Sequence, residues 1–181
     1  IWKGDTYDYP IDTDYLLPLP DRDIIHQYKK NYDYLFLKDC AMIKTSSGSH
    51  QNCTFRYCNI ITQNQYFEAP LEYAITDLKK IKEEHIFIVD DNFLVNKERI
   101  IEFCRLLKEN NIHKKFTIFG RADFIANNED IIQFFSQHGL HSVFIGVESF
   151  KEEELGEYNK KTTSELNFKA LDVLKKYSIE P

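Results

Sequence analysis

At 181 residues, with 43% hydrophobic and 14% aromatic content, the chain is long and apolar enough to predict one globular domain with a buried core. Its formal net charge of −6 argues against a nucleic-acid-binding surface, because phosphate contacts require a basic face. We also expect no membrane span and no signal peptide. No apolar run reaches roughly 18 residues, and no basic segment followed by an apolar one stands at the start.

The four cysteines (Cys40, Cys53, Cys58 and Cys104) bear on the compartment. They could form two disulfides, but Cys104 falls on the apolar face of a predicted helix. We therefore favour a reducing, cytoplasmic setting with free or metal-binding thiols. The sequence starts without Met and ends where a further strand is expected, so we interpret it as a piece of a longer protein.

Residues 1–40 are rich in Tyr, Asp and Pro and lack sustained periodicity, which predicts an N-terminal arm or linker. The most distinctive stretch of this arm is Leu17-Pro-Leu-Pro-Asp-Arg-Asp23, which its prolines stiffen. Regular apolar patterning starts at Ala41. The predicted domain division is therefore an arm over 1–40 and a core over 41–181.

From Ala41 onward, apolar strands alternate with amphipathic helices. Strands are expected over Ala41–Thr45, His85–Val89, Phe116–Phe119 and Ser142–Val147, and helices over Pro70–Glu84, Lys97–Asn110, Asn128–Gln137 and from Thr162 onward. Asn128 and Thr162 are the expected caps of the last two helices. The helix from Lys97 should bury Ile100, Ile101, Cys104 and Leu107. This alternation predicts an α/β fold of parallel βα repeats with right-handed crossovers.

A loop with two thiols, Cys53 and Cys58, follows the first strand, and Ser46, Ser47 and Gly48 open it. A pair of cysteines five residues apart is by itself more often structural than metal-binding. Thiolates at close spacing on a loop that leaves a strand are nevertheless the ligands that an iron–sulfur cluster requires. His50 and Cys40 are open candidates for a third ligand, although Cys40 precedes the strand.

Polar residues also follow the three later strands. Asp90, Asp91 and Asn92 follow the second strand, Arg121 and Asp123 the third, and Glu148 and Ser149 the fourth. Parallel α/β folds place their sites at this carboxyl edge of the sheet. An Asp-Asp-Asn strand end is also typical of Mg²⁺-dependent phosphoacceptor receiver domains. That alternative is less favoured, because the lysine that a receiver requires after a later strand is missing.

The thiol loop and the strand ends resemble those of the radical S-adenosylmethionine (radical SAM) enzymes, whose hallmark is Cys-x3-Cys-x2-Cys after the first barrel strand. Here Ser49 stands in the first Cys position and Arg56 in the third, with Cys58 two residues later. The segments Phe87–Phe93, Gly120–Asp123, Val143–Ser149 and Glu154–Thr162 resemble successive motifs of that family. The stretch Leu17–Asp23 resembles the segment between the cobalamin-binding and radical SAM domains in one subgroup.

This resemblance implies a partial TIM-type barrel, a [4Fe–4S] cluster and S-adenosylmethionine (SAM) as cofactors, and cobalamin as a further cofactor of the full-length protein. It implies an iron–sulfur oxidoreductase that cleaves SAM to a 5′-deoxyadenosyl radical. Cys53 and Cys58 would hold the cluster. The SAM-binding residues would be Tyr57 near the adenine, Asp90, Asp91 and Asn92 at the amino group, Arg121 at the carboxylate and Glu148 at the ribose, together with Asp123 and Ser149.

The resemblance also implies partners: a small-molecule or peptide substrate, and an electron donor such as flavodoxin or ferredoxin. We expect no nucleic acid or membrane partner. Because an incomplete barrel leaves open parallel edges, this piece is expected to self-associate. The main alternative function is a cluster-less, non-catalytic relic or binding module of the same fold, because Ser49 replaces a cluster ligand.

Overall fold

In the computed structural model of the chain, the described residues are 18–25, 27–28, 33–34, 37–48, 62, 65–147, 149 and 162–181. The strands are β1 (Asp33–Tyr34), β2 (Leu37–Lys38), β3 (Cys40–Ile43), β4 (Ser46–Gly48), β5 (Tyr66–Glu68), β6 (His85–Ile88), β7 (Lys115–Arg121) and β8 (Leu140–Gly146). The helices are α1 (Leu71–Leu78), α2 (Lys97–Glu109), α3 (Ala122–Asn127), α4 (Glu129–Ser136) and α5 (Ser164–Lys176).

A four-stranded parallel sheet in the order β3-β6-β7-β8 forms the centre of the fold. Ile88 lies in register with Ile43 on one side and with Ile118 on the other. Near the C-terminus, Glu180 forms a parallel bridge with Ser142 on the free side of β8, where a further strand was expected. The predicted α/β class with parallel βα repeats is confirmed.

The two faces of the sheet differ in composition because side chains alternate along each strand. On one face, Ile86, Ile88 and Ile118 are fully buried and belong to one apolar core with the helices. On the other face, the rings of Phe87, Phe119 and Phe144 form a cluster in which all three pairs of centroids lie 5.1 to 5.6 Å apart. The aliphatic face stabilises the fold, and the aromatic cluster lies next to the carboxyl edge of the sheet.

The helices differ from the predicted ones in two places. Helix α1 ends at Leu78, because the backbone N–H groups of Lys80 and Ile81 bond to carbonyl groups three residues back, which tightens the chain out of the helix. The unpredicted helix α3 begins immediately after β7. Asn128 occupies the N-cap position of α4, as predicted, but its side chain makes no capping hydrogen bond, because its Nδ2 donates to the carbonyl oxygen of Phe124 in α3 at 2.7 Å.

Two other expectations about the helices are also wrong. Helix α5 is capped by Thr163, whose Oγ1 accepts from the backbone N–H of Leu166 at 3.2 Å, and not by Thr162. On α2, Ile101 is 45% exposed and Phe103 is fully buried in the core. The buried face of α2 therefore includes Phe103 in place of Ile101, and it is rotated slightly about the helix axis from the face that the sequence pattern predicted.

The described parts of the predicted arm contact the core in two places. The Arg22 guanidinium donates to both carboxylate oxygens of Asp77 at 2.8 and 2.6 Å, and to the carbonyl oxygen of Met42 on the edge strand β3 at 3.0 Å. The ring of Tyr34 packs on Phe87 with centroids 4.9 Å apart. The domain division near residue 40 stays a prediction.

Among the described helices, none combines the length and the apolar character that crossing a membrane requires.

Candidate functional site

The carboxyl ends of the parallel strands surround a cavity of about 170 Å³. Asp91 and Asn92, from the loop after β6, line one side, and Arg121 and Asp123, at the end of β7, line another. Gly146 at the end of β8 and the rings of Phe119 and Phe144 also contribute to its wall. Residues that are up to 55 positions apart in sequence are thus brought together because parallel strands end at the same edge.

The first residue of the loop after β6, Asp90, is saturated with hydrogen bonds. Its side chain is buried, Oδ1 accepts from the backbone N–H of Thr45 at 2.6 Å, and Oδ2 accepts from the hydroxyls of Thr45 and Ser46 at 2.6 and 2.8 Å. Burial raises the pKa of Asp90, and these hydrogen bonds oppose the rise. Asp90 therefore joins the end of β6 to the end of β3.

The next two residues, Asp91 and Asn92, both line the cavity. Asp91 accepts from the backbone N–H of Gly48 through Oδ2 at 3.0 Å. Asn92 is 6% exposed, and its amide nitrogen lies 3.5 Å from the carbonyl oxygen of Leu94, while its Oδ1 has no hydrogen-bond partner among the described residues. A buried acceptor without a partner costs about 1–3 kcal/mol, so it is a feature of sites that a ligand completes.

The end of β7 contributes Arg121, whose guanidinium is oriented by the nearby Asp123. Arg121 donates to both carboxylate oxygens of Asp123 at 2.9 and 2.7 Å. Asp123 also accepts from the backbone N–H of Phe124 in the first turn of α3 at 2.9 Å. The Arg121 side chain is 8% exposed, so its charge is placed beside the cavity with low solvent screening.

The loop after β8 is held by Asn167, a fully buried residue of α5 that the sequence analysis missed. Its amide nitrogen donates to the carbonyl oxygens of Val147 and Ser149 at 3.2 and 3.0 Å, and its Oδ1 accepts from the hydroxyl of Thr162 at 3.3 Å. The spacing of Asn167 to Ala170 and Leu174 was the available signal, because it places the amide on the apolar face of the helix.

The thiol-bearing loop begins at this same edge of the sheet. The short strands β4 and β5 pair antiparallel, with Ser46 opposite Glu68 and Gly48 opposite Tyr66, and so bring together the two ends of the segment that contains Cys53 and Cys58. Both cysteines lie outside the described residues, as do the predicted site residues Tyr57 and Glu148. Ser149 is described through its backbone, which Asn167 holds.

The remaining cysteines lie away from this edge. Cys40 begins β3, so it stands at the opposite, amino end of the sheet, and burial raises the pKa of its thiol. Cys104 is fully buried in α2, and burial raises its pKa to about 12. Within the described ranges, no three His, Cys, Asp or Glu side chains are grouped as a metal site would require.

Comparison with known proteins shows the family to which the chain belongs. Residues 43–181 match the Radical SAM superfamily. Because the match covers well over half of the sequence, the chain belongs to that superfamily. The cofactors that membership implies are a [4Fe–4S] cluster and SAM, as the sequence motifs predicted.

The chain is similar to larger proteins of the superfamily. It is 29% identical over 161 residues to hopanoid C-3 methylase of Methylococcus capsulatus, a match that covers 89% of this chain and 31% of that protein. It is 26% identical over 136 residues to anaerobic magnesium-protoporphyrin IX monomethyl ester cyclase of Rubrivivax gelatinosus, which covers 69% and 24%. The chain thus spans about a third or less of these relatives.

Solved structures share the fold. The cobalamin-dependent SAM radical enzyme OxsB, with aqua-cobalamin and SAM bound, superimposes with a TM-score of 0.75 at 24% identity, over 91% of this chain and 25% of that one. Methylornithine synthase superimposes with a TM-score of 0.60 at 13% identity, over 77% and 42%. The predicted partial barrel of the radical SAM type is confirmed by these likenesses.

Proposed function

We propose that the protein is a radical SAM enzyme whose SAM site lies at the carboxyl edge of the sheet. The observation that carries this proposal is the convergence of Asp91, Asn92 and Arg121 on the 170 Å³ cavity, together with a buried Asn92 Oδ1 that has no hydrogen-bond partner among the described residues. Acceptor oxygens on one side and a guanidinium on the other suit a zwitterion. When bound, the cluster and SAM together supply reductive cleavage to methionine and a 5′-deoxyadenosyl radical.

The described residues divide the recognition of the methionine moiety between them. Asp91 and Asn92 would accept hydrogen bonds from its ammonium group, and Arg121, oriented by Asp123, would pair with its carboxylate. The cavity is smaller than the roughly 300–1,000 Å³ of pockets that enclose a whole drug-sized ligand, so it suits this moiety and not the entire SAM molecule. We infer that Asp90 does not contact SAM and supports the site indirectly, by holding the end of β3.

The remaining roles rest on the sequence resemblance. Cys53 and Cys58 would supply thiolates to the cluster, which they fit in donor chemistry. Glu148 and Ser149 would bind the ribose, and Asn167 supports that placement because it fixes the backbone on either side of Glu148. Tyr57 would pack near the adenine.

The test is calorimetric titration of SAM into anaerobically reconstituted protein. Asn92→Ala and Arg121→Ala should each weaken SAM binding by about 1–3 kcal/mol, or roughly 5- to 150-fold, because each removes one polar partner of a charged group. Gln133→Ala and Arg105→Ala are matched controls, because both residues are exposed on helix surfaces. Affinities equal to those of the controls would remove Asn92 and Arg121 from the site.

A second candidate function is a cluster-less binding module, which the serine at position 49 favours. Iron and sulfide analysis after anaerobic reconstitution separates the two. A radical enzyme should take up iron, show broad visible absorption, and lose both in Cys53→Ala. Protein that stays free of iron would favour the binding module, and Ser49→Cys should then raise iron uptake.

We further propose the setting of the whole protein. The likeness to a cobalamin-dependent enzyme and the Leu17–Asp23 lead-in support cobalamin as a further cofactor, bound outside the core that begins near residue 41. Relatives named as a methylase and a cyclase leave both reaction classes open for a small-molecule or peptide substrate. Radical SAM enzymes generally require an electron donor, and flavodoxin or ferredoxin in the cytoplasm would serve. Among the described residues no strand pairs with the outer side of β3, which supports self-association of this chain.

A further inference from the structure

Arg99 in the first turn of α2 makes long-range contacts that its position on an amphipathic helix does not predict. Its side chain is 12% exposed. One terminal nitrogen, Nη2, donates to the carbonyl oxygens of Thr45 and Ala69 at 3.1 and 2.9 Å, and Nη1 lies 3.5 Å from the carboxylate of Glu68. One guanidinium therefore bridges two backbone positions that are 24 residues apart in sequence.

Those two positions lie at the two ends of the thiol-bearing loop and its flanking strands. Thr45 directly precedes β4, and Ala69 directly follows β5. The backbone N–H of Ala69 also donates to the carbonyl oxygen of Thr45 at 2.9 Å, so that oxygen accepts from Ala69 and Arg99 together. The antiparallel pairing of β4 with β5 continues from this closed base toward the loop.

The other side of the base is held by carboxylates from the loop after β6. Asp90 accepts from the backbone N–H of Thr45, and Asp91 accepts from the backbone N–H of Gly48 at the last residue of β4. Asp91 also lines the proposed SAM cavity. The base of the loop is thus clamped between one cation and two anions, and one of the anions belongs to the site itself.

We propose that Arg99 is a positioning residue that fixes both ends of the thiol-bearing loop against Asp90 and Asp91, in the loop after β6. Holding the ends together limits the conformations of the intervening chain, and so lowers the entropy that is lost when its thiols are brought to one place. The proposal rests on the proposed function, because positioning matters only if Cys53 and Cys58 hold a cluster near the SAM site.

The planar guanidinium suits this task, because Nη2 donates to both carbonyl oxygens while Nη1 lies near Glu68. A lysine at position 99 would keep the charge, but its single nitrogen cannot occupy both positions at once. Arg99→Lys should therefore restore part of what Arg99→Ala loses. Arg105→Ala is the matched control, since Arg105 lies on the same helix and pairs with Glu102 and Glu109 on the exposed surface.

The first measurement is amide hydrogen exchange in the protein without reconstitution. Arg99→Ala should speed exchange in segments 45–48 and 66–69 by about tenfold, the change expected for the loss of one hydrogen bond to a charged group, while β7 exchanges as in wild type. Arg99→Lys should lie between, and Arg105→Ala should match wild type. Unchanged exchange in both segments of Arg99→Ala would overturn the proposal, and faster exchange throughout β7 would show general unfolding and overturn it as well.

The second measurement is iron content and the spin-resonance spectrum of the reduced protein after anaerobic reconstitution. We expect Arg99→Ala to load several-fold less iron or to show a shifted spectrum, with partial recovery in Arg99→Lys. Wild-type loading and spectrum in Arg99→Ala, despite faster exchange, would mean a merely structural role and would overturn the positioning role. Wild-type protein that takes up no iron contradicts the proposed function instead, and the exchange measurement then decides whether Arg99 clamps the loop.

Discussion

Two cavities of very different size show what marks the candidate site. The larger, of about 770 Å³, lies between the lead-in residues Pro18–Arg22, the end of β3 and the start of α1, and the charged side chains Arg22 and Asp77 in its wall pair with each other. The smaller, of about 170 Å³, is lined by Asn92, whose buried Oδ1 no described group satisfies. Between these two cavities, unmet hydrogen-bonding capacity and not volume marks the candidate site, because a stable fold leaves few buried polar atoms without partners.

The largest expected effect concerns the saturated carboxylate at the edge of the smaller cavity. Asp90→Ala leaves the backbone N–H of Thr45 and two hydroxyls without their acceptor, so we expect a loss of about 2–3 kcal/mol in the free energy of unfolding. Asp90→Asn keeps one acceptor and should lose less. Denaturant unfolding measures both, and a loss below about 0.5 kcal/mol in Asp90→Ala would contradict the structural role given to Asp90.

Breaking the pair in the larger cavity should cost less. Arg22→Ala leaves the Asp77 carboxylate without its cation, and because Arg22 is 18% exposed we expect a loss of only about 1 kcal/mol in the free energy of unfolding. The change also uncovers the carbonyl oxygen of Met42 on the edge strand, so self-association should strengthen. Sedimentation across a range of concentrations checks this, with Arg105→Ala as the control. Equal monomer fractions in the two variants would mean that Arg22 does not protect the edge of β3.

The smaller cavity should respond in the opposite direction. Asn92→Leu removes a buried oxygen that lacks a partner and keeps a similar volume, so we expect a gain of about 1 kcal/mol in the free energy of unfolding together with loss of SAM binding. Thermal unfolding and calorimetry measure the two quantities. A destabilised Asn92→Leu that binds SAM normally would show that Asn92 serves the fold and not a ligand.

The smallest expected effect is a dependence on pH. Because burial raises the folded-state pKa of Asp90 above its ordinary value of 3.8, its contribution to stability is present below that value and is lost as the pH rises through the raised pKa. The difference in unfolding free energy between wild type and Asp90→Asn should therefore move against wild type as the pH rises above the ordinary pKa of an aspartate, about 4. A difference that is constant over that range would mean that the hydrogen bonds to Asp90 fully cancel the effect of burial.

Local pattern determined much of the fold. Continuous apolar runs such as 85–89, followed by amphipathic helices, were enough to predict the parallel strands and their order along the chain, because hydrophobic periodicity reports which surfaces must be buried. Boundaries were less certain. Ile101 and Phe103 are both apolar, and only the way in which α2 packs on the sheet decides which one is buried.

The sequence by itself also determined the edge at which the candidate site lies, because Asp90, Asn92 and Arg121 each follow a predicted strand and parallel strands end together. Only the tertiary structure decided how these residues divide the work. Asp90 and Asn92 lie two residues apart and are both polar, yet Asp90 is saturated by the end of β3, whereas Asn92 lines the cavity and its Oδ1 has no partner among the described residues. Arg99 and Asn167 acquire their roles through contacts with residues 18 to 54 positions away, and local periodicity carries no information about such distant backbone oxygens.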